Sequence, residues 1–340
     1  MNLAKLILLT ASLALSLVPQ HVRAQSQEKI LVRLDWSPWG MQAPFYLARE
    51  KGWFQEAGLD VTVEDGKGTV NTIQIVGSGN QYDAGHVSLG SMMIARDKGM
   101  PLKALAVYMR ASDIGLMVPT SSSITGPKDL KGKKIVFTPG SLEAPFIDAF
   151  LAAGGVRRSD IDLTGVDAAS KVAVYYAGKA DGVFSSIPFM VPAAEATKPS
   201  RGIRFSDTGL YFPSYGLVAT EAKLKEKGPA LKKLASIIGA AWRYILNGKQ
   251  DEAVQAMLKQ RPQDKLDAKV IRGQIDLAAQ FVDSPNSKGV PIGQNIDADW
   301  AQATKTLAGV GEIKRVLDPG DYYSRDSFDL ALYRKYSGEK

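Results

Sequence analysis

A chain of 340 residues, 45% hydrophobic and 23% charged, has the composition of a folded globular protein and the length for two domains with separate cores. It contains no cysteine, which excludes disulfides, thiolate metal sites, cysteine nucleophiles and a lipid anchor on an N-terminal cysteine. The formal net charge of +7 is dispersed. Its densest cluster, Lys131, Lys133 and Lys134, reads as a solvated turn, and no basic stripe with interleaved aromatics points to nucleic acid.

The chain opens with the pattern of a secretory signal. Lys5 precedes an apolar run from Leu6 to Val18, and Val22-Arg23-Ala24 fits a small-x-small cleavage site. Residues 1–24 are expected to be removed, taking Lys5, Arg23 and no acid with them and leaving about +5. A cysteine-free exported chain of this size fits a bacterial periplasm. No later apolar run approaches the ~20 residues needed to span a bilayer.

Ile30 to Asp35 reads as a first strand, followed by a loop with two tryptophans, Trp36 and Trp39. A helix then starts near Pro44 and stops at Gly52; Trp53 to Gly58 adds one more turn. Leu59, Val61 and Val63 alternate with polar residues as in a strand. Strand, helix and strand make a βαβ unit, so these strands should be parallel. Gly66-x-Gly68-Thr69 enters a short helix ending at Gly77, and so offers backbone N–H groups at a positive dipole end. Tyr82 to Val87 is a third strand ending at Ser88; Leu89 to Lys98 is a helix; Leu102–Met109 and Ile114–Val118 are strands. Arg110-Ala111-Ser112-Asp113 interrupts those two strands and marks a crossover.

The pattern then restarts. Lys134–Phe137 is a strand, and Ser141 is an N-cap candidate for a helix over Leu142–Ala153. Ile161–Val166 is a strand, Ala168–Ala177 a helix, and Gly182 to Phe189 a strand end rich in hydroxyls and aromatics. After a short strand at Ile203–Phe205, Tyr215–Ala219 returns the chain to the first lobe. From Thr220 onward the spacing is helical, with Trp242 on a core face, and Tyr322, Tyr323 and Phe328 pin the tail.

Catalytic constellations are absent from this pattern. With His21 in the leader, His86 is the one histidine left, so a Ser-His-Asp triad would require His86 as its base. Gly-x-Ser-x-Gly does not occur, and His/Cys metal spacing is impossible. A lysine Schiff base stays open.

Several runs carry a family likeness: Asp35-Trp36-x-Pro38, Ala43 to Ala48, Lys51-Gly52-Trp53-Phe54, Gly58 to Val61, Asp83-Ala84-Gly85, Arg96 to Leu102, Pro127 to Ile135 and Gly178 to Gly182. Together they resemble periplasmic solute-binding proteins of ABC importers, in the branch that takes up thiamine pyrimidine precursors, riboflavin, sulfonates, taurine or nitrate. The resemblance implies an α/β, two-lobe type II periplasmic binding protein fold with a helical C-terminal region packed on lobe one. Lobe one would comprise 28–112 plus 217–340, and lobe two 113–216. A monomer would trap a small molecule in the cleft and present it to a membrane permease, with no enzyme activity and no cofactor.

The likeness and the residue types nominate Trp36, Trp39, Gln42, Gly68, Thr69, Ser88, Arg110, Ser141, Glu143 and Ser185 as ligand-binding residues. Trp39 and Gln42 stand where the pyrimidine-precursor branch has Asn and His. A flat heteroaromatic ring stacked between Trp36 and Trp39 is the first expectation. A small anion held by the Gly66–Thr69 helix start, Ser141 and Arg110 is the second. An exported enzyme or a sensor partner on the same fold is the third; the fungal pyrimidine synthases of this fold use a cysteine-rich iron motif that a cysteine-free chain cannot form.

Overall fold

A computed structural model describes residues 27–79 and 81–339; the expected leader, residues 1–24, lies outside them. The first sheet contains β1 (Glu28–Leu34), β2 (Leu59–Glu64), β3 (Ala84–Ser88), β4 (Leu102–Val107) and β10 (Tyr215–Thr220), in the order β2-β1-β3-β10-β4. The second contains β5 (Ile114–Pro119), β6 (Lys134–Phe137), β7 (Asp162–Gly165), β8 (Gly182–Ser186) and β9 (Ser200–Arg204), in the order β7-β6-β8-β5-β9. The two sheets share one plan. The first three strands of each run parallel, and the strand arriving from the other sheet, β10 or β5, inserts antiparallel between its neighbours.

Burial follows position. The edge strand β2 begins with alternating buried and exposed residues, whereas β3, β8 and β10 are buried at every residue. Central strands covered on both faces need continuous apolar or small residues, as Ala84-Gly85-His86-Val87-Ser88 and Tyr215 to Thr220 provide.

The helices are α1 (Ala43–Glu50), α2 (Trp53–Glu56), α3 (Thr69–Gly77), α4 (Leu89–Asp97), α5 (Ile147–Ala153), α6 (Ala168–Tyr176) and α7 (Ile187–Ala194). The C-terminal part adds α8 (Glu221–Tyr244), α9 (Gln250–Gln260), α10 (Ala268–Ala278), α11 (Asp297–Gly309), α12 (Pro319–Tyr322) and α13 (Leu330–Ser337). Helix α8 kinks at Lys227, just before Pro229. Trp242 is fully buried, and Trp300 stacks on Tyr322 and Tyr323, which fastens the tail.

Two expectations need correction. The helix predicted from Leu142 forms only from Ile147, after a 3-10 turn over Ala144–Phe146; Pro145 lacks the N–H that a continuous helix would use. Ser141 caps nothing, because its hydroxyl donates to the Thr138 carbonyl at 2.6 Å. Ile187 to Ala194, where the pattern from Gly182 to Phe189 predicts a strand end, is helix α7. The chain turns at Ser186, whose hydroxyl accepts from Phe189 N–H, and Pro188 occupies the first helical turn, where a missing N–H costs nothing.

Two segments connect the sheets, 108–113 outward and 205–214 back. They are bonded to each other. Tyr108 and Met109 N–H both donate to Tyr215 O, at 2.8 and 3.1 Å, and Ser214 N–H donates to Met109 O at 2.9 Å. The Asp113 carboxylate accepts from the hydroxyls of Ser186 and Ser214, tying the outward segment to β8 and to the return segment.

Candidate functional site

The strand ends of the two sheets face one another, and an aromatic cavity lies between them. Asp35, Trp36 and Trp39 come from the loop after β1. Ser141 and Leu142 follow β6, Lys171 is on α6, Ser185 and Ser186 end β8, Phe189 is on α7 and Tyr215 begins β10. Carboxyl ends of strands are where open α/β sheets bind ligands.

Both tryptophans are buried, and they meet the same partner. Trp36 and Trp39 each set an edge-to-face contact with Phe189, with centroids 6.2 and 5.5 Å apart, and Trp39 makes another with Tyr215 at 6.0 Å. Phe189 therefore stands as a third wall where a slot between two tryptophans was expected. The inner cavity is closed down to about 10 Å³ of space for a water centre, roughly one water. Trp36 also walls an open cleft of about 830 Å³, bordered by Lys67, Thr138, Pro139 and the start of α6.

Asp35 and Lys171 line the cavity, and two further acids, Asp113 and Glu143, bond to its lining residues Ser186 and Lys171. Asp35 is 1% exposed, and its Oδ2 accepts from Thr69 Oγ1 at 3.1 Å while Oδ1 has no partner of normal geometry. Burial pushes its carboxyl up to about 7; Asp113 adds to the rise, and the hydroxyls of Tyr215 and Thr69 oppose it. Burial likewise pushes Asp113 up to about 6, with Glu143 adding to the rise and Ser186 and Ser214 opposing it. Glu143 is buried and accepts from Lys171 Nζ at 2.7 Å, leaving Oε2 unpartnered. Lys171 Nζ also donates to Ser185 Oγ at 3.2 Å and lies 5.5 Å from the Trp36 ring centroid, a cation–π contact. Among the described residues Lys171 is the cation lining this cavity, and Glu143 already pairs it.

Of the nominated residues, Trp36, Trp39, Ser141 and Ser185 line the cavity. Others stand one layer behind it. Thr69 Oγ1 accepts from Ser88 N–H at 2.9 Å and donates its own hydroxyl hydrogen bond to Asp35, so Thr69 and the Ser88 backbone orient that carboxylate. Gln42 is not among the lining residues: its Oε1 accepts from Trp39 N–H at 2.9 Å, which folds the loop on itself, and its buried Nε2 has no partner among the described residues. Gly68 has φ +131°, a conformation that favours glycine, and Val70 N–H donates across to Gly140 O at 2.9 Å. The helix start that was expected to hold an anion is thus occupied by a carbonyl of the other lobe.

Arg110 is also corrected. Its guanidinium donates to Pro291 O and Gln294 O at 2.7 and 3.0 Å, beside the connecting segments and away from the aromatic cavity.

His86 lies behind Tyr215, stacked on it at 5.2 Å and on Tyr108 at 6.1 Å. Burial depresses its pKa to about 3, and neither ring nitrogen has a partner among the described residues. It is a neutral packing residue here, with no group to receive a proton from. Among the described residues, no three His, Asp or Glu side chains converge as metal ligands would.

Sequence reasoning missed Asp35, Lys171, Phe189, Tyr215 and, behind them, Gln274. One signal was available. Lys171 and Tyr175 are the buried residues of α6, four apart, so a lysine occupied the inward stripe of an otherwise ordinary amphipathic helix.

A family model described as "NMT1/THI5 like" matches residues 39–253, more than half of the chain. The chain belongs to this NMT1/THI5-like family. A formylaminopyrimidine-binding protein of Halalkalibacterium halodurans is 24% identical over 300 residues, covering 83% of this chain and 86% of that one. A 4-amino-5-hydroxymethyl-2-methylpyrimidine phosphate synthase of Saccharomyces cerevisiae is 30% identical over 151 residues; the match spans 44% of this chain and 43% of the synthase's length. Among solved structures, the alkanesulfonate-binding protein of Xanthomonas axonopodis superposes with a TM-score of 0.65 at 16% identity, covering 88% and 98% of the two chains. The periplasmic nitrate-binding protein of Synechocystis gives 0.64 at 17%, covering 92% and 88%. At these identities the structural matches establish the fold, which is that of periplasmic binding proteins.

Proposed function

We propose that this protein is the periplasmic substrate-binding component of an ABC importer and that its ligand is an amino-substituted heteroaromatic ring of the pyrimidine type. The mature chain would start at Gln25 after export, act as a monomer and hand its ligand to a membrane permease. The lobes would be 28–112 with 217–340, and 113–216, closing over the ring.

The observation that carries the ligand class is Asp35. A buried carboxylate bonded by hydroxyls and with no cationic partner among the described residues, inside a box of Trp36, Trp39, Phe189 and Tyr215, suits a flat ring that presents N–H donors. A carboxyl held near pH 7 can meet a ring amidine either charged or neutral. The name of the Halalkalibacterium relative, a pyrimidine-binding protein covering most of this chain, supports the same class. A sulfonate or nitrate would instead meet the Asp35 carboxyl in a cavity whose lysine, Lys171, is already paired with Glu143, and so would find no free cation there.

The test is isothermal titration of the mature chain with 4-amino-5-hydroxymethyl-2-methylpyrimidine, taurine and nitrate. Binding of the pyrimidine is expected. A response confined to taurine or nitrate would overturn the reading. Turnover is not expected, and recovery of the pyrimidine unchanged from the complex checks this.

A further inference from the structure

Gln274 sits on α10, in the C-terminal helical region, and is 3% exposed. Its side-chain amide uses both ends. Oε1 accepts from Gly40 N–H at 2.9 Å, and Nε2 donates to Phe189 O at 3.0 Å. Gly40 follows Trp39 in the loop after β1. Phe189 belongs to α7, beyond the second sheet, and its ring is the wall that both tryptophans touch. One side chain from a third element therefore joins the backbones that carry the two halves of the aromatic box.

The packing around it leaves little slack. A Cβ on Gly40 would lie 2.6 Å from Gln274 Cβ, so only glycine lets the loop rest on α10. A Cβ on Gly273 would lie 3.0 Å from Pro192 Cβ, so α10 also meets α7 closely. The path continues on the far side: Ser186 accepts from Phe189 N–H and donates to Asp113, which holds the connecting segments. Separation of the lobes must break one of the amide's bonds, and a buried amide left half-bonded is unfavourable.

We propose that Gln274 is a positioning residue for the binding site, holding Phe189 against Trp36 and Trp39 in the closed state and coupling closure to the C-terminal helices. It touches no ligand. The proposal rests on the reading that two lobes close over a ligand, and it is independent of what that ligand is.

The absence of cysteine allows a clean test. Asp60→Cys and Lys131→Cys, exposed positions on β2 and beside the second sheet, accept spin labels for interlobe distances in the ligand-free mature chain. Gln274→Leu removes both bonds at similar volume; Gln274→Glu keeps the acceptor for Gly40 and replaces the donor to Phe189 O. Both are expected to shift the distance distribution toward longer, more open values. They should also weaken 4-amino-5-hydroxymethyl-2-methylpyrimidine about tenfold or more, mostly through faster dissociation. An isolated loss of melting temperature, with distances and dissociation rate as in the parent, would make Gln274 a packing residue and overturn the proposal. If the leucine variant does not fold, the glutamate variant carries the same reading. If the parent itself ignores the pyrimidine, the ligand class fails, and the distance distributions still decide the role of Gln274.

Discussion

Gly68→Ala should damage closure, and the structure separates that effect from ordinary backbone strain. Gly68 has φ +131°, a conformation that an L-residue adopts at a cost of about 1–3 kcal/mol. An alanine Cβ there would also fall 2.6 Å from Gly140 O, on the opposite lobe, where van der Waals contact begins well above 3 Å. Relief requires the lobes to part by several tenths of an ångström, enough to weaken the Val70 N–H bond to Gly140 O, a bond of about 0.5–1.5 kcal/mol net. Gly140→Ala is the control. Its φ is +78°, but no heavy atom lies within 4 Å of the added Cβ, so it meets strain without overlap. Both variants should lose a few degrees of melting temperature. Only Gly68→Ala should also weaken ligand affinity, by about three- to tenfold, and shift the interlobe distances toward the open form. Equal affinities in the two variants would refute the idea that this glycine pair is a closing contact.

Three further expectations follow from the buried charges. Asp35→Asn should cut pyrimidine affinity at least tenfold, measured by titration calorimetry. In the ligand-free chain the Asp35 carboxyl is raised from 3.8 to about 7, so between those values the folded state holds a proton that the unfolded chain has released. Its contribution to stability is therefore lost as pH rises from about 4 to 7, with Asp113 acting the same way up to about 6. Melting temperatures across that range should fall less steeply in Asp35→Asn, and an identical slope would sink the assignment. Arg110→Ala should lower the melting temperature, since the guanidinium holds two carbonyls, yet leave affinity within about twofold; a large affinity loss would restore it to the site. Lys171→Met strands the buried Glu143 and should destabilise by about 3–5 kcal/mol in denaturant titration, whereas adding Glu143→Gln should recover much of that loss.

Periodicity made most of the elements legible. Ile30 to Asp35, Leu59 to Val63 and Lys134 to Phe137 alternate or run apolar as strands must, and the glycines at 52, 77 and 178 end helices where the sequence places them. The break at Arg110–Asp113 was visible as polar residues between two apolar strands. The prolines and aromatics of α7 mimic a strand end in the sequence, and Pro145 delays the start of α5 within an otherwise helical pattern.

The candidate site was half visible for a related reason. Trp36, Trp39, Ser141 and Ser185 lie at strand ends, a position the sequence marks through its turn chemistry. Near the same ends, Thr69 turns its hydroxyl onto Asp35 and Gln42 turns its Oε1 onto Trp39 N–H, while Ser88 contributes its backbone N–H, to Thr69. Which way a hydroxyl or amide points depends on neighbours distant in the chain.

Composition and hydrophobic pattern thus determined by themselves an α/β chain of two similar halves and the absence of thiol chemistry, and they pointed to the strand ends as the place for a ligand. Local sequence suffices for these because helix and strand periods, turn residues and residue inventory are local properties. Tertiary structure decided the character of the site. Phe189 reaches the tryptophans from the other lobe, Lys171 is neutralised by Glu143, Arg110 turns to the carbonyls of Pro291 and Gln294, and the α3 start receives Gly140 O. Each partner arrives from a distant part of the fold. A side chain's charge state and hydrogen bonds are set by what is packed against it, and that packing exists only once both lobes and the C-terminal helices are in place.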